Sequence, residues 1–445
     1  MREITAHLLS RRQLLRQVLA GSLGLPFAHL LGGQRAEAQV DERAATPEEM
    51  PVLSPDDDRF LDDLERANFQ FFWDQGSANT GMVKDRCDVR TGRQDMVASI
   101  AATGFGLTAL CIGEHRGFVS TNDAVKRVVA TLRFLWKKLP NHRGFFFHFA
   151  NAETGERMYD SEVSSVDTAI LLCGVLTVRE HFRHSGIDEL AELVFNRVDW
   201  TWLVEDTSLL SHGWTPEVGF LSSRWDDYSE LMMMYLLGLG SSSHPLREDT
   251  WTAWKRTPFE YDSQRYIGSF APLFVHQFSQ AWFDFRHQRD KFADYFLNSI
   301  TATEVHRKWC VELSKQFPDY GEDMWGISAS DSQHGYVAWG GPPAMGPIDG
   351  SLVPSAAAGS LALLPGPTIR VLKNIKSRFP QAWGKYGFVD AFNPLKNWYG
   401  TDVIGIDTGI TMVMAENLRT GFVWETFMKA PEARRGMERA GFHKY

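Results

Sequence analysis

The sequence predicts a mainly α-helical fold, and three observations predict it. Segments with apolar residues at helical spacing recur from residue 54 onward, separated by connections rich in Gly, Pro or Asn. The strand-helix-strand alternation of a parallel sheet is absent. Strand-like pieces such as Gly144-Phe145-Phe146-Phe147-His148-Phe149 are short and isolated. So many helices in about 390 residues can form a bundle, a solenoid or a closed ring of helix pairs. The ring is favoured because loop motifs rich in carboxylates and aromatics recur between the helices, and no cap-like terminal repeat is visible.

Residues 1–38 read as a twin-arginine export signal. Ser10-Arg11-Arg12-Gln13-Leu14-Leu15 is followed by an apolar stretch from Val18 to Leu31 and by Ala36-Glu37-Ala38, an A-x-A cleavage pattern. The stretch contains Pro26 and His29 and is too short for a stable membrane span, so the expected location is the periplasm or the exterior, with the twin-arginine export machinery as a transient partner. Residues 39–53, rich in Ala, Glu and Pro, read as a linker, and 54–445 as one catalytic domain.

The domain opens on a helix with Ser54 as N-cap, Pro55 at the first helical position and acids in the first turn. Further helices are predicted over about 96–113, 121–138, 162–183, 187–204, 229–239, 290–316, 367–378 and 408–418. The run from Leu231 to Leu239 has no polar face and belongs inside the protein, yet Asp226, Asp227 and Glu230 precede it directly. If the helix begins at 229, Asp226 and Glu230 lie one turn apart at its mouth.

Composition narrows the function. A formal net charge of −9 disfavours a nucleic-acid partner or an anionic membrane surface. Fifteen Trp, thirty Phe and eleven Tyr exceed what a core alone requires, and aromatic faces with carboxylates suit sugars. The four cysteines form no C-x-x-C pair, and Cys111 and Cys173 sit in apolar runs, so buried free thiols are expected. Neither they nor the fourteen histidines show metal-ligand spacing; no metal and no cofactor is expected.

Three other segments combine acids, glycine and aromatics. Asp160, Glu162 and Asp167 precede an apolar run as Glu230 does; Trp325, Asp331, Tyr336 and Trp339 lie in a Gly-rich stretch; Asp402 and Asp407 stand before a helix through Met412 to Asn417. Each alone also reads as a helix cap or turn, but together they ask for one pocket. Glycoside hydrolysis needs two carboxyl groups, one to protonate the leaving oxygen and one to activate water or attack the sugar. No G-x-S-x-G elbow and no phosphate-binding G-x-x-x-x-G-K-[ST] is present to support other chemistries.

The ordered motifs "GFFFHF…SEVSSVDTA", "GWTPEVGFLSSRWDDYSELMMMYLLGLGSSSHP", "PLFVHQFSQAWFDFR", "YGEDMWGISASDSQHGY", "PIDGSLVPSAAAGSL", "YGFVDAFNP" and "GIDTGITMVMAENLRTG" closely resemble the glucoamylase-like domain family, which includes the β-1,2-glucanases of glycoside hydrolase family 144. The resemblance covers about residues 57–443. It implies an (α/α)6 toroid, a pocket where the inner helices begin, and inverting hydrolysis of β-1,2-glucan. It makes Glu230 the general acid and Asp407 the first choice for the base, with Asp402 second. Glu162 and Asp160 match further pocket acids, Asp167 equally matches a structural cap, and Trp225, Tyr228, Trp325, Tyr336 and Trp398 match sugar platforms. Where the family pattern reads nearer WDGYNE and IDQG, this chain has Asp227, Ser229 and Thr408, which points to altered subsites or a change between endo and exo action. Two alternatives remain: a hydrolase or transglycosylase of another exopolysaccharide linkage, and a non-catalytic glucan-binding protein of polysaccharide assembly. Retention of Glu162, Glu230 and Asp407 argues against the last.

Overall fold

The computed structural model describes residues 51–445, apart from 94, 184, 270–271 and 343–345. The segment read as an export signal, and residues 39–50 of the linker, lie outside these. Among the described residues the helices are α1 (Pro55–Gln75), α2 (Ile100–His115), α3 (Thr121–Lys137), α4 (Ser165–Phe182), α5 (Ser185–Asn196), α6 (Met232–Gly240) and α7 (Asp249–Ala253). They continue with α8 (Tyr295–Leu313), α9 (Pro354–Ala358), α10 (Pro365–Arg378), α11 (Gly405–Thr420), α12 (Phe422–Phe427) and α13 (Pro431–Arg439). None is long and apolar enough to cross a membrane.

The helices fall into two kinds. In α2 every residue from Ile100 to Gly113 is buried, α6 is buried throughout, and α4 and α11 are buried along most of their length. By contrast, α3 buries only Ala124, Val128, Thr131, Leu132 and Leu135, one face at helical spacing. The wholly buried helices pack on one another, α2 against α4 and α11, and α4 against α6. The one-faced helices cover them: α1 lies on α11, α5 on α4 and α13 on α6. Glycine permits the closest approaches, since a Cβ on Gly174 would lie 2.1 Å from the Gly104 carbonyl oxygen and one on Gly436 2.1 Å from that of Leu236.

Helix starts follow their caps. Ser54, Ser99, Ser120 and Ser164 each accept a hydrogen bond from a backbone N–H of the first turn. Several expected boundaries move. The helix expected over 187–204 ends at Asn196, because Asp199 caps a separate 3-10 turn over Trp200–Val204. The helix expected from 290 starts at Tyr295 behind the cap Asp294, while Asp290 instead accepts the N–H groups of Phe292 and Ala293 in a turn. The helices α7, α9, α12 and α13 were not anticipated; three of them are too short to show a period. All four cysteines are free thiols, and Cys111, Cys173 and Cys310 are buried.

At the end of α2 and α11 remote from their first turns, Glu65 of α1 and Glu416 of α11 are fully buried with Arg116 and Arg419. Burial, and then the charge of Glu416, push the Glu65 carboxyl up to about 8, against the pull of Arg419 and Arg116. Its Oε1 is buried without a hydrogen-bond partner, in keeping with one proton held in the cluster. A carboxyl raised above its unfolded value of 4.5 favours folding below that value, and the contribution is lost as pH rises towards about 8. Glu65→Gln should therefore match the wild type in thermal unfolding near pH 4 and exceed it progressively as pH rises towards 8; a variant less stable at both ends of that range would refute the protonated state.

Candidate active site

The wholly buried helices begin at one end of the molecule because short antiparallel pairings stitch the segments that lead into them. Residues 402–404, running into α11, pair with 86–88; Asp85 N–H bonds to Val97 O, and 97–99 runs into α2. Residues 97–99 in turn pair with 149–151, Phe147 bridges Val163, and 163–164 runs into α4 while pairing with 213–215. Beyond, Ser279 Oγ donates to Glu230 O and accepts from Met233 N–H, and Gln277 Nε2 donates to Ala356 O of α9. The carboxylates Asp402, Asp407, Glu162, Asp167 and Glu230 all stand within a few residues of these helix starts, where unpaired N–H groups and the positive end of the helix dipole tolerate buried negative charge.

Glu230 is 8 % exposed and lies in the turn before α6, which starts at Met232 rather than 229. Residues 226–228 stay out of the helix because Asp227 bridges Lys255 and Tyr228 N–H donates to Lys255 O. Asp226 and Glu230 are therefore not one turn apart on a helix. Asp226 is exposed and pairs with Lys255 at 3.5 Å, and half-buried Asp227 accepts from Thr257 Oγ1 at 3.2 Å. Burial raises the Asp227 carboxyl. Of the three acids at this mouth, only Glu230 is enclosed.

Asp407 is 6 % exposed and occupies the first turn of α11, not a free Gly-bracketed turn. The flanking glycines serve packing instead: a Cβ on Gly405 would meet the Ala102 side chain at 2.8 Å, and one on Gly409 the Phe105 ring at 2.3 Å. A cavity of about 10 Å³, near the minimum for one water, is lined by Asn68, Ser355, Asp390, Asp407, Thr408 and Thr411. An open hollow of about 570 Å³ lies elsewhere, by Arg419 and Lys373, whose ammonium already pairs with Asp56 and Asp57.

Arg86 organises the acids beside Asp407. Its guanidinium donates to Asp85 at 3.1 Å, Asp331 at 3.0 Å and Asp402 at 3.2 Å. Burial alone would lower its pKa, but Asp331, Asp85, Asp402 and Asp390 hold its proton firmly. Burial leaves Asp402 raised in spite of Arg86. Asp390, 2 % exposed, is held well above the usual carboxylate range by burial and then by the charges of Asp331 and Asp407.

A second group surrounds Glu162. His148 Nδ1 lies 3.5 Å from Glu162 and 3.7 Å from Asp167. Asp167 doubles as a cap, its N–H donating to Ser164 Oγ and its carboxylate accepting from the same hydroxyl. Among the described residues these three form the one His, Cys, Asp and Glu group compact enough for a cation, their ligand atoms lying within 4.8 Å of one another. Asp160 is exposed, with φ 47°, and its carbonyl accepts from Arg157.

Two of the five aromatic platforms need correction. Tyr228 and Trp325 are fully buried, so neither offers a face to a sugar; Tyr228 stacks in parallel with Tyr295. Trp225 is 5 % exposed, stacks on His212 at 4.0 Å and donates to Ser165 Oγ, and Tyr336 is 7 % exposed. Tyr228 and Trp325 thus pack the interior, while Trp225 and Tyr336 each keep a narrow edge exposed. Trp398 alone of the five is half-buried. Sequence reasoning missed Tyr159, 43 % exposed, set edge-on to Phe149 and held at φ 57°. It also missed Arg86, Asp390 and His148, for which no local pattern offers a signal.

Comparison with known proteins follows the same line. The Glycoamylase family model, a glucoamylase description, matches residues 222–431. The chain is 27% identical over 423 residues to the exo β-1,2-glucooligosaccharide sophorohydrolase (non-reducing end) of Parabacteroides distasonis, covering 86% of this chain and 58% of that protein. The chain thus spans little more than half the length of that curated relative. It matches the endo-β-1,2-glucanase of Chitinophaga pinensis, solved with sophorotriose and glucose, at 27% identity and TM-score 0.82 over 88% of this chain and 99% of that one. The endo-β-1,2-glucanase of Talaromyces funiculosus, solved with sophorose, shares the fold at 13% identity and TM-score 0.59, over 85% and 89% of the two chains. The resemblance to the glucoamylase-like family and its β-1,2-glucanases, carried by the ordered motifs, therefore stands.

Removing the cation tests the electrostatics of this end. Arg86→Gln leaves Asp85, Asp331 and Asp402 without their shared partner, which should cost roughly 3–5 kcal/mol at pH 7. The stranded acids then bind protons more tightly folded than unfolded, so the deficit should shrink as pH falls towards 4 in denaturant titrations. A deficit that grows on acidification would contradict the assignment.

Proposed function

We propose that the chain is a glycoside hydrolase of β-1,2-linked glucan, acting by inversion in a pocket at the helix-start end of an (α/α)6 toroid. One observation carries the reading: enclosed carboxylates from the turn before α6, the first turn of α11 and the segment leading into α4 gather at the end where the buried helices begin, in a chain similar to β-1,2-glucan-cleaving proteins. The contacts from α6 through Ser279 and Gln277 to α9, and from α9 to α11, support closure of the ring.

In this mechanism Glu230 is the acid. It lies in the turn before the apolar α6 and delivers its proton to the glycosidic oxygen as the bond to the anomeric carbon breaks. Asp407 takes a proton from water, whose oxygen bonds to the anomeric carbon on the opposite face. Asp402, Asp160 and Glu162 accept hydrogen bonds from sugar hydroxyls, and Trp398 supplies apolar contact. Thr408, one of the departures from the family pattern, lines the cavity beside Asp407. This favours, as the second reading, action on another exopolysaccharide linkage or transglycosylation.

Glu230→Gln and Asp407→Asn should fold normally and each lose about 10³-fold or more in kcat on β-1,2-glucan. The wild type should prefer that polymer over laminarin, cellulose and starch, and its first product should carry the inverted anomeric configuration by NMR. Faster hydrolysis of starch, or a Glu230→Gln enzyme with wild-type kcat, would sink the proposal.

We also propose that the protein reaches the periplasm or the exterior by the twin-arginine route, on the strength of the Arg11-Arg12 pattern. Changing both arginines to lysine should hold uncleaved precursor in the cytoplasm on fractionation. Normal processing of the double variant would point to another route.

A further inference from the structure

We infer that Asp390 is a positioning residue for the catalytic base, donating a hydrogen bond that fixes the carboxylate of Asp407 towards its water. The inference rests on the reading of Asp407 as base. Asp390 stands between two strands of the site: its backbone N–H donates to Asp402 O at 2.9 Å, and its Oδ2 accepts Asp331 N–H at 2.6 Å. Its carboxyl lines the same small cavity as that of Asp407, and Asp407 is among the influences that raise it. Its Oδ1 is buried and receives no N–H or hydroxyl donor.

The charged groups facing Asp390 are Asp331, Asp407 and Arg86. Arg86 cannot bridge the two carboxyls, because its hydrogen bonds go to Asp85, Asp331 and Asp402. Two ionised carboxylates in contact in so dry a place repel strongly, and a single proton between them turns that repulsion into a hydrogen bond. Enclosure decides where the proton rests. Asp390 is 2 % exposed and its carboxyl is raised by burial, whereas Asp407, at 6 %, is slightly less enclosed in the lining of the cavity that the two share. Asp390 therefore stays neutral and donates to the Asp407 carboxylate.

Asparagine reproduces both contacts of a neutral Asp390, its carbonyl accepting Asp331 N–H and its amide donating to Asp407, while leucine has similar shape and neither group. The experiment measures kcat, KM and the pH profile of Asp390→Asn, Asp390→Leu and Asp407→Asn on β-1,2-glucan. Asp390→Asn should keep kcat within about five-fold of wild type with its acidic limb unmoved, whereas Asp390→Leu should lose about 100-fold in kcat with little change in KM and an acidic limb displaced to higher pH. Infrared spectra of the wild type at neutral pH should also show a buried protonated-carboxyl band that Asp390→Asn abolishes, a readout that stands even if the leucine variant fails to fold. An active Asp407→Asn enzyme would remove the base assignment and the inference with it. An inactive Asp407→Asn enzyme with Asp390→Asn no better than Asp390→Leu, with Asp390→Leu equal to wild type, or with the infrared band unchanged, would overturn the role of Asp390 alone.

Discussion

The backbone pairing that ties the starts of the buried helices together is the constraint on which everything else in this molecule depends. Helices such as α2 and α6, apolar on every side, have no polar face with which to meet water, so they must be sheathed along their length and can present chemistry only at their ends. Strand residues 86–88, 97–99, 163–164 and 402–404 hold several of those ends in one layer. Glycine at 104 and 174 brings α2 and α4 into backbone contact, leaving no room for the ends to drift apart.

Charge is arranged within this layer in two contrasting ways. Around Arg86, Asp85, Asp331 and Asp402 share one guanidinium and are fixed by it, an arrangement suited to holding a surface in place. Glu230 lies outside that group: its neighbours Asp226 and Asp227 are turned to Lys255 and Thr257, so the enclosed acid is separated from both. Asp407 sits on the border of the Arg86 group, lining one cavity with Asp390, whose N–H bonds to Asp402 O. The opposite end of the same helices repeats the theme for stability, with Glu65 and Glu416 buried against Arg116 and Arg419.

Much of this was legible in the sequence, for local physical reasons. Helical periodicity marks α1, α3 and α4 to within a few residues, with the Ser54 cap at the first, and the acids that precede long apolar runs, Glu162, Glu230 and Asp407, are among those found enclosed at helix starts. What was illegible depends on contacts between distant segments. Arg86 meets Asp331 and Asp402 across 245 and 316 positions, and no local pattern announces such a partner. The aromatics misled because tryptophan and tyrosine carry the same composition signal in a wall as on a platform; Trp325 and Tyr228 were taken by the core, while exposed Tyr159 lies in a turn whose left-handed backbone has no glycine to betray it. Short helices such as α7 and α9 hold too few residues for a period to emerge.

The central claim is that Glu230 and Asp407 face one sugar linkage from opposite sides. A crystal structure of the Asp407→Asn protein soaked with a β-1,2-linked glucotetraose tests it most directly. The account predicts a glycosidic oxygen within hydrogen-bonding distance of Glu230, with a water between residue 407 and the far face of the same anomeric carbon. A glucan bound with no glycosidic oxygen near Glu230, or with the scissile linkage against Glu162 and His148 instead, would contradict it.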